Sequence, residues 1–125
     1  MSTDSPFERL QNIIKEKNTN IILSCDVTTM ADLCYFADLC GPYICVLKVH
    51  TDIIEDFSVE MMLNIKNIAK VHRFLLMEDR KFGDIGHTLS RQLTGFFKYL
   101  FCVFLISCKD LKIIVEALTT GGFTD

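Results

Sequence analysis

The chain has 125 residues, half of them apolar and 23% charged, with 13 basic and 16 acidic side chains that give a net charge of −3. That makeup suits one soluble globular domain, and the scattered charges, free of any basic block, exclude nucleic acid or an anionic membrane surface as the main partner. Asp4, Glu8, Arg9 and Lys15 break the N-terminal region before any apolar signal core can form, so a cytoplasmic location is expected, and the six cysteines, with no CxxC pair, read as reduced and mostly buried thiols.

Ser5-Pro6-Phe7-Glu8 is a capping box with proline at the first helical position, and Phe7, Leu10, Ile13 and Ile14 follow at helical spacing. The polar turn Lys17-Asn18-Thr19-Asn20 leads into Ile21-Ile22-Leu23-Ser24-Cys25-Asp26, an apolar run of strand length that ends on a carboxylate. Thr29-Met30-Ala31-Asp32 opens a second helix with Leu33, Phe36, Ala37 and Cys40 on one face and Gly41-Pro42 as its stop. Ile44-Cys45-Val46-Leu47 is continuously apolar, as a parallel strand covered on both faces requires, and it ends on Lys48-Val49-His50.

Ser58 caps a third helix, with Met61, Ile65, Ile68 and Ala69 inward and Glu60, Asn64, Lys66 and Lys70 outward. His72 falls at its C-terminal end, where a cation meets the helix dipole favourably. Phe74-Leu75-Leu76-Met77 is the third strand and runs into Glu78-Asp79-Arg80-Lys81-Phe82-Gly83-Asp84, before a helix from about Ile85 to Thr94. Tyr99 to Cys108 is strongly apolar but far short of the roughly 20 residues a membrane-spanning helix needs, so it reads as a core strand or a buried helix.

Strand and helix alternate throughout, which implies right-handed crossovers and a parallel sheet. A doubly wound sheet would carry a glycine-rich phosphate loop after its first strand, and Ser24-Cys25-Asp26-Val27-Thr28 has no glycine. A (β/α)₈ TIM barrel instead gathers its chemistry at the C-terminal ends of several strands, where Asp26, Lys48, Asp79 and Lys81 fall. The expected fold is therefore the N-terminal portion of such a barrel: an N-terminal helix and about three βα units. Complete barrels take about 250 residues, so the barrel is expected to be incomplete.

The D-x-K-x-x-D spacing of Asp79, Lys81 and Asp84 places an ammonium between two acids directly after an apolar strand. Two nearby carboxylates keep such a lysine protonated, ready to stabilise a carbanion and donate a proton to it.

Three ordered blocks, Ser24-Cys25-Asp26-Val27, Leu39 to Ile53 with its Lys48-Val49-His50, and Phe74 to Thr88 with Glu78-Asp79-Arg80-Lys81-Phe82-Gly83-Asp84, closely resemble the signatures of the orotidine 5′-phosphate decarboxylases. The resemblance runs from about Phe7 to Lys98, and the Lys17-Asn18-Thr19-Asn20 approach is most similar to the decarboxylase half of the animal uridine monophosphate synthases. It implies decarboxylation of orotidine 5′-phosphate to UMP, with Lys81 as proton donor to C6 of the pyrimidine and Asp79 against the departing carboxylate. It further implies that Asp84 and Thr88 reach the substrate of the other subunit in a homodimer. Ser24 and Asp26 would hold base and ribose, and Lys48 and His50 the ribose and the charge network.

No metal or organic cofactor is implied. His87 stands where the family usually has asparagine and reads as a neutral substitution.

The family's tryptophan-containing approach to the fourth strand has no counterpart in this tryptophan-free sequence, and Tyr99 to Asp125 reads as a divergent tail beyond residues 1–98. On this reading the chain is a truncated decarboxylase without its later phosphate-gripping strands and without the phosphoribosyltransferase domain of animal synthases, inactive alone. Two alternatives share the motif. One is a Mg²⁺-dependent sugar-phosphate decarboxylase of the same barrel group, and the other a non-catalytic product that pairs with full-length subunits.

Overall fold

The computed structural model describes residues 4–79 together with Thr88, Arg91, Val103 and Phe104. Helix α1 (Pro6–Lys17) begins at the expected capping box: Ser5 Oγ accepts from the Glu8 amide at 3.2 Å, and Glu8 returns a carboxylate to the Ser5 amide at 2.8 Å. It ends at Asn18, whose φ of 52° is a left-handed conformation that asparagine tolerates better than most residues.

Strands β1 (Ile22–Cys25), β2 (Val46–Val49) and β3 (Leu75–Glu78) are linked by helices α2 (Met30–Cys40) and α3 (Val59–His72). Thr29 and Ser58 cap those helices through their hydroxyls, accepting from the Asp32 and Met61 amides. A second acceptor serves α2, since Asp56 Oδ1 takes the Met30 amide at 2.8 Å and so ties the loop after β2 to the loop after β1.

The sheet is parallel with order β1-β2-β3-β4, where β4 is Val103–Phe104. Its register aligns Ser24, Lys48, Met77 and Val103 in one row and Cys25, Val49, Glu78 and Phe104 in the next. The apolar run expected between Tyr99 and Cys108 thus contributes a strand beside β3. Sequential, parallel strand order with crossover helices on one side is the arrangement of the first part of a (β/α)₈ barrel.

One face of the sheet packs on the crossover helices. Leu47, Val49, Leu76 and Cys25 meet Met30, Leu33 and Ala37 of α2 and Met62, Ile65 and Ala69 of α3. Full burial of each larger aliphatic side chain in that layer is worth roughly 1.5–3 kcal/mol of transfer free energy. Met62, adjacent to the predicted inward Met61, takes the fully buried place while Met61 packs at the margin.

Among the described residues the other face is covered only at its N-terminal end, where Ile13, with Leu10 and Ile14 beside it, packs on Val46, Leu75 and Met77. α1 therefore plugs the bottom of the half-barrel. Lys17 at its end locks the plug in place, its Nζ lying 2.6–3.0 Å from the carbonyl oxygens of Gly41, Ile44, His72 and Arg73. Those four carbonyls terminate α2 and α3 and lead into β2 and β3. Arg73 and Glu16 add an ion pair between the same elements.

Gly41-Pro42 ends α2 as expected but by a different cause. Gly41 has φ −47°, right-handed rather than left-handed, and opens a short 3₁₀ turn over Gly41–Tyr43. Glycine is required there for space, because a Cβ would stand 2.6 Å from Cδ2 of His72. That imidazole lies against Asp38, Nε2 to Oδ1 at 2.8 Å, so His72 meets a side chain of α2 in addition to its own helix end.

Candidate active site

Side chains alternate along a strand, so Ser24, Lys48 and Met77, together with Asp26, His50 and Asp79 two positions on, project from the face opposite the crossover helices. The row of Asp26, His50 and Asp79 sits at the C-terminal strand ends, beyond Met77, which packs at the margin of the α1 plug. Five of the eight predicted site residues thus share one surface.

Asp79 is the centre of it. Its side chain is only 9% exposed, and its Oδ2 lies 3.3 Å from Lys48 Nζ and 3.2 Å from His50 Nε2. His50 also approaches Asp26 Oδ1 at 3.9 Å, and Asp26 is 60% exposed, at the rim. Asp79 Oδ1 is buried without a hydrogen-bond partner among the described residues, so one carboxylate oxygen is held by two nitrogen groups and the other is not. Ser24 is exposed on β1 beside Lys48.

Lys81, Asp84 and His87 lie outside the described residues, as does most of the helix expected after them. Thr88 is helical and exposed.

Reading the sequence missed Glu78 as a distinct group, because it joined the charged run Glu78 to Asp84. The structure makes it the last residue of β3, fully buried, with Oε2 accepting from the Thr51 hydroxyl at 2.7 Å and the Thr51 amide at 3.2 Å. Desolvation pushes its carboxyl up from the ordinary range, against the pull of the two Thr51 bonds. The signal was available. Glu78 has the strand parity of Leu76, a residue of the helix-facing core, and not that of Asp79.

The thiols of Cys25, Cys34 and Cys45 are raised by burial, Cys25 further by the nearby Asp26. Together with Cys40 they are free. Raised thiols are poor nucleophiles, in keeping with packing roles. Among the described residues no helix is long and apolar enough to cross a membrane.

A parallel βα sheet plugged at the N-terminal end of its strands, with ionisable groups converging at the other end, has the architecture of an incomplete (β/α)₈ barrel. Comparison with known proteins is more specific. The family model of the orotidine 5′-phosphate decarboxylase / HUMPS family matches residues 19–120. The chain belongs to that family.

Among curated relatives, an orotidine 5′-phosphate decarboxylase of Rhizomucor pusillus is 49% identical over 83 residues, 66% of this chain and 32% of the relative. One of Aspergillus awamori is 45% identical over 114 residues, 89% of this chain and 41% of the relative. The chain thus spans about a third to two fifths of the length of these relatives. A crystal structure of a Streptomyces avermitilis protein assigned as an orotidine 5′-phosphate decarboxylase superposes with a TM-score of 0.70 at 19% identity, covering 94% of this chain and 50% of that one. At that identity it speaks for the fold. The family match extends past Lys98, where the sequence signatures end, as far as residue 120.

Proposed function

We propose that this chain is the N-terminal part of an orotidine 5′-phosphate decarboxylase, a carboxy-lyase that converts orotidine 5′-phosphate to UMP and CO₂ in pyrimidine synthesis. The observation that carries the reading is the buried Asp79 carboxylate, held on one side by Lys48 and His50 at the strand ends and followed directly by Arg80-Lys81.

Loss of CO₂ leaves a carbanion at C6 that no adjacent ring carbonyl delocalises well, so the protein must stabilise it electrostatically. Lys81, set between Asp79 and Asp84 in sequence, remains an ammonium and donates its proton as the C–C bond breaks. Asp79 faces the substrate carboxylate, and the Lys48 and His50 contacts keep it oriented. Ser24 and Asp26 hold base and ribose from β1, and Lys48 and His50 extend to the ribose. Asp84 and Thr88 reach across a homodimer to the neighbouring substrate.

The finer kinship with animal uridine monophosphate synthases rests on Lys17-Asn18-Thr19-Asn20, and a cytoplasmic location accords with the sequence. The division at residue 98 separates the signature blocks from a more divergent tail.

The test is CO₂ release from carboxyl-labelled orotidine 5′-phosphate by this chain extended with the remaining strands of a fungal relative. Release without added metal, insensitive to chelator and abolished by Lys81→Ala, is the expected result. Activity that survives Lys81→Ala overturns the assignment of the proton donor, and activity that requires Mg²⁺ points to the sugar-phosphate enzymes instead.

A further inference from the structure

Glu78 is fully buried, yet its Oε1 has no hydrogen-bond partner among the described residues. Its Oε2 accepts both donors of Thr51. Thr51 immediately follows His50, and Glu78 immediately precedes Asp79. Two dipeptides are therefore joined twice: His50 meets Asp79 on the barrel face, and Thr51 meets Glu78 on the helix face. The last backbone bond between these strands, from the Asp79 amide to the Val49 carbonyl at 2.9 Å, lies between the two contacts.

We propose that Glu78 is a positioning residue for the site: by gripping Thr51 it sets the His50 imidazole against Asp79. The inference rests on the functional reading only in giving that pair a purpose.

β2 ends at Val49, and the chain turns at once into a 3₁₀ segment over Thr51–Ile53, so among the described residues no strand-to-strand bond fixes the peptide that follows His50, whose carbonyl accepts only a long local bond from the Ile53 amide at 3.4 Å. The two Thr51 bonds supply that constraint. A stability role alone would not favour such a residue, since a buried carboxylate with one unpaired oxygen costs free energy that a well-packed apolar side chain would not. A requirement for geometry at His50 accounts for its presence in an otherwise apolar layer. Thr51, as the residue gripped, acts in the same device.

His50 also faces Asp26 and shares Asp79 Oδ2 with Lys48, while Glu78 itself lies near Asp52. A test must therefore separate charge from position. Glu78→Gln removes the charge and keeps an oxygen that accepts from Thr51; Glu78→Leu removes both. The readout is the imidazole nitrogen NMR shift of His50 in the isotope-labelled full chain at fixed neutral pH, and specifically the change that Asp79→Asn produces in it.

That change is expected to persist in the Glu78→Gln background and to fall below half its wild-type size in Glu78→Leu. Thr51→Val, which removes the shorter of the two bonds, is expected to weaken it as well. Should Glu78→Leu give no folded chain, Thr51→Val decides the matter. An undiminished response in the folded Glu78→Leu chain, or in Thr51→Val where that variant decides, overturns the proposal. No substrate is involved, so failure of the decarboxylase reading would leave this result untouched and would show only in the CO₂ assay.

Discussion

Glu78 and Asp79 are consecutive and both buried, yet their carboxylates open onto opposite faces of one sheet, Glu78 to Thr51 beneath the crossover helices and Asp79 to Lys48 and His50 in the barrel interior. The alternation of a strand makes this possible, and it lets one chain segment anchor the scaffold and present the site at the same time. The two carboxylates also differ in how they are held. Asp79 is flanked directly by nitrogen groups, whereas Glu78 is offset against desolvation chiefly by two neutral donors from Thr51, with a smaller pull from the His50 imidazole.

That difference sets a pH dependence for stability. Burial raises the Glu78 carboxyl above its ordinary value of 4.5, so the folded chain binds that proton more tightly than the unfolded chain does. Its contribution is fully present below the unfolded value and is lost as pH rises through the folded one. Glu78→Gln has no such proton to lose. The gap in urea midpoint between Glu78→Gln and wild type should therefore widen, in favour of the variant, from about pH 4 to about pH 8. A constant gap would show that Glu78 does not titrate differently in the folded state.

At the opposite end of the half-barrel, Lys17 joins α1 to the carbonyls of Gly41, Ile44, His72 and Arg73. Burial pulls its ammonium below the ordinary lysine value, yet removing it leaves several partly buried acceptors without donors. Lys17→Met, which preserves length and apolar contact, should cost about 2 kcal/mol of unfolding free energy. Exposed Lys15→Met, two residues earlier on the same helix, should stay within about 0.5 kcal/mol of wild type. Equal effects of the two substitutions in chemical denaturation would remove Lys17 from this role.

Gly41 offers a test of packing that does not depend on charge. A methyl group at Gly41 would approach His72 Cδ2, Cγ and Cβ at 2.6, 2.8 and 2.9 Å, and because Cβ is among them a rotamer change alone cannot relieve the clash. Gly41→Ala should destabilise the chain by about 1–3 kcal/mol. His72→Ala, which gives up the Asp38 contact, removes the two shorter clashes with Cδ2 and Cγ but keeps Cβ, so it should absorb part of that penalty when the two are combined. The double-mutant cycle measures this directly, and simple additivity would mean that His72 is not the obstacle.

These cases mark where the sequence was legible. Local signals were strong wherever one side chain serves a neighbour three residues away, which is why Ser5, Thr29 and Ser58 were identifiable as caps and the helices they open were found. The rows of apolar residues ending in Asp26, Lys48 and Asp79 pointed to the cluster of charges at the strand ends, since strand parity alone puts those side chains on one face. Contacts between distant segments were not legible. Lys17 looked like part of a polar turn, because nothing near it in sequence shows that four carbonyls await it across 24 to 56 residues. Gly41 looked like an ordinary helix stop for the same reason, its neighbour His72 belonging to the next helix.

The last prediction concerns turnover by the 125-residue chain alone, which is expected to release no measurable CO₂ from orotidine 5′-phosphate even though Asp79, Lys81 and Asp84 are present in its sequence. The chain spans 32–41% of the relatives named above, and the family resemblance implies that the grip on the substrate phosphate comes from later strands. Binding energy from such remote groups is what stabilises the transition state at the reacting carbon, so its loss lowers turnover as well as affinity. Lack of the strands that the relatives carry beyond this chain's span adds a second penalty, because misplacing Lys81 by about 1 Å costs on the order of 100-fold. The two effects separate experimentally: in the chain extended with the missing strands, substitution of the residues that grip the phosphate should reproduce most of the first loss while leaving the barrel closed. If the 125-residue chain turns over at a rate comparable to the extended one, neither the phosphate grip nor barrel closure is needed, and the reading of this chain as an incomplete enzyme fails.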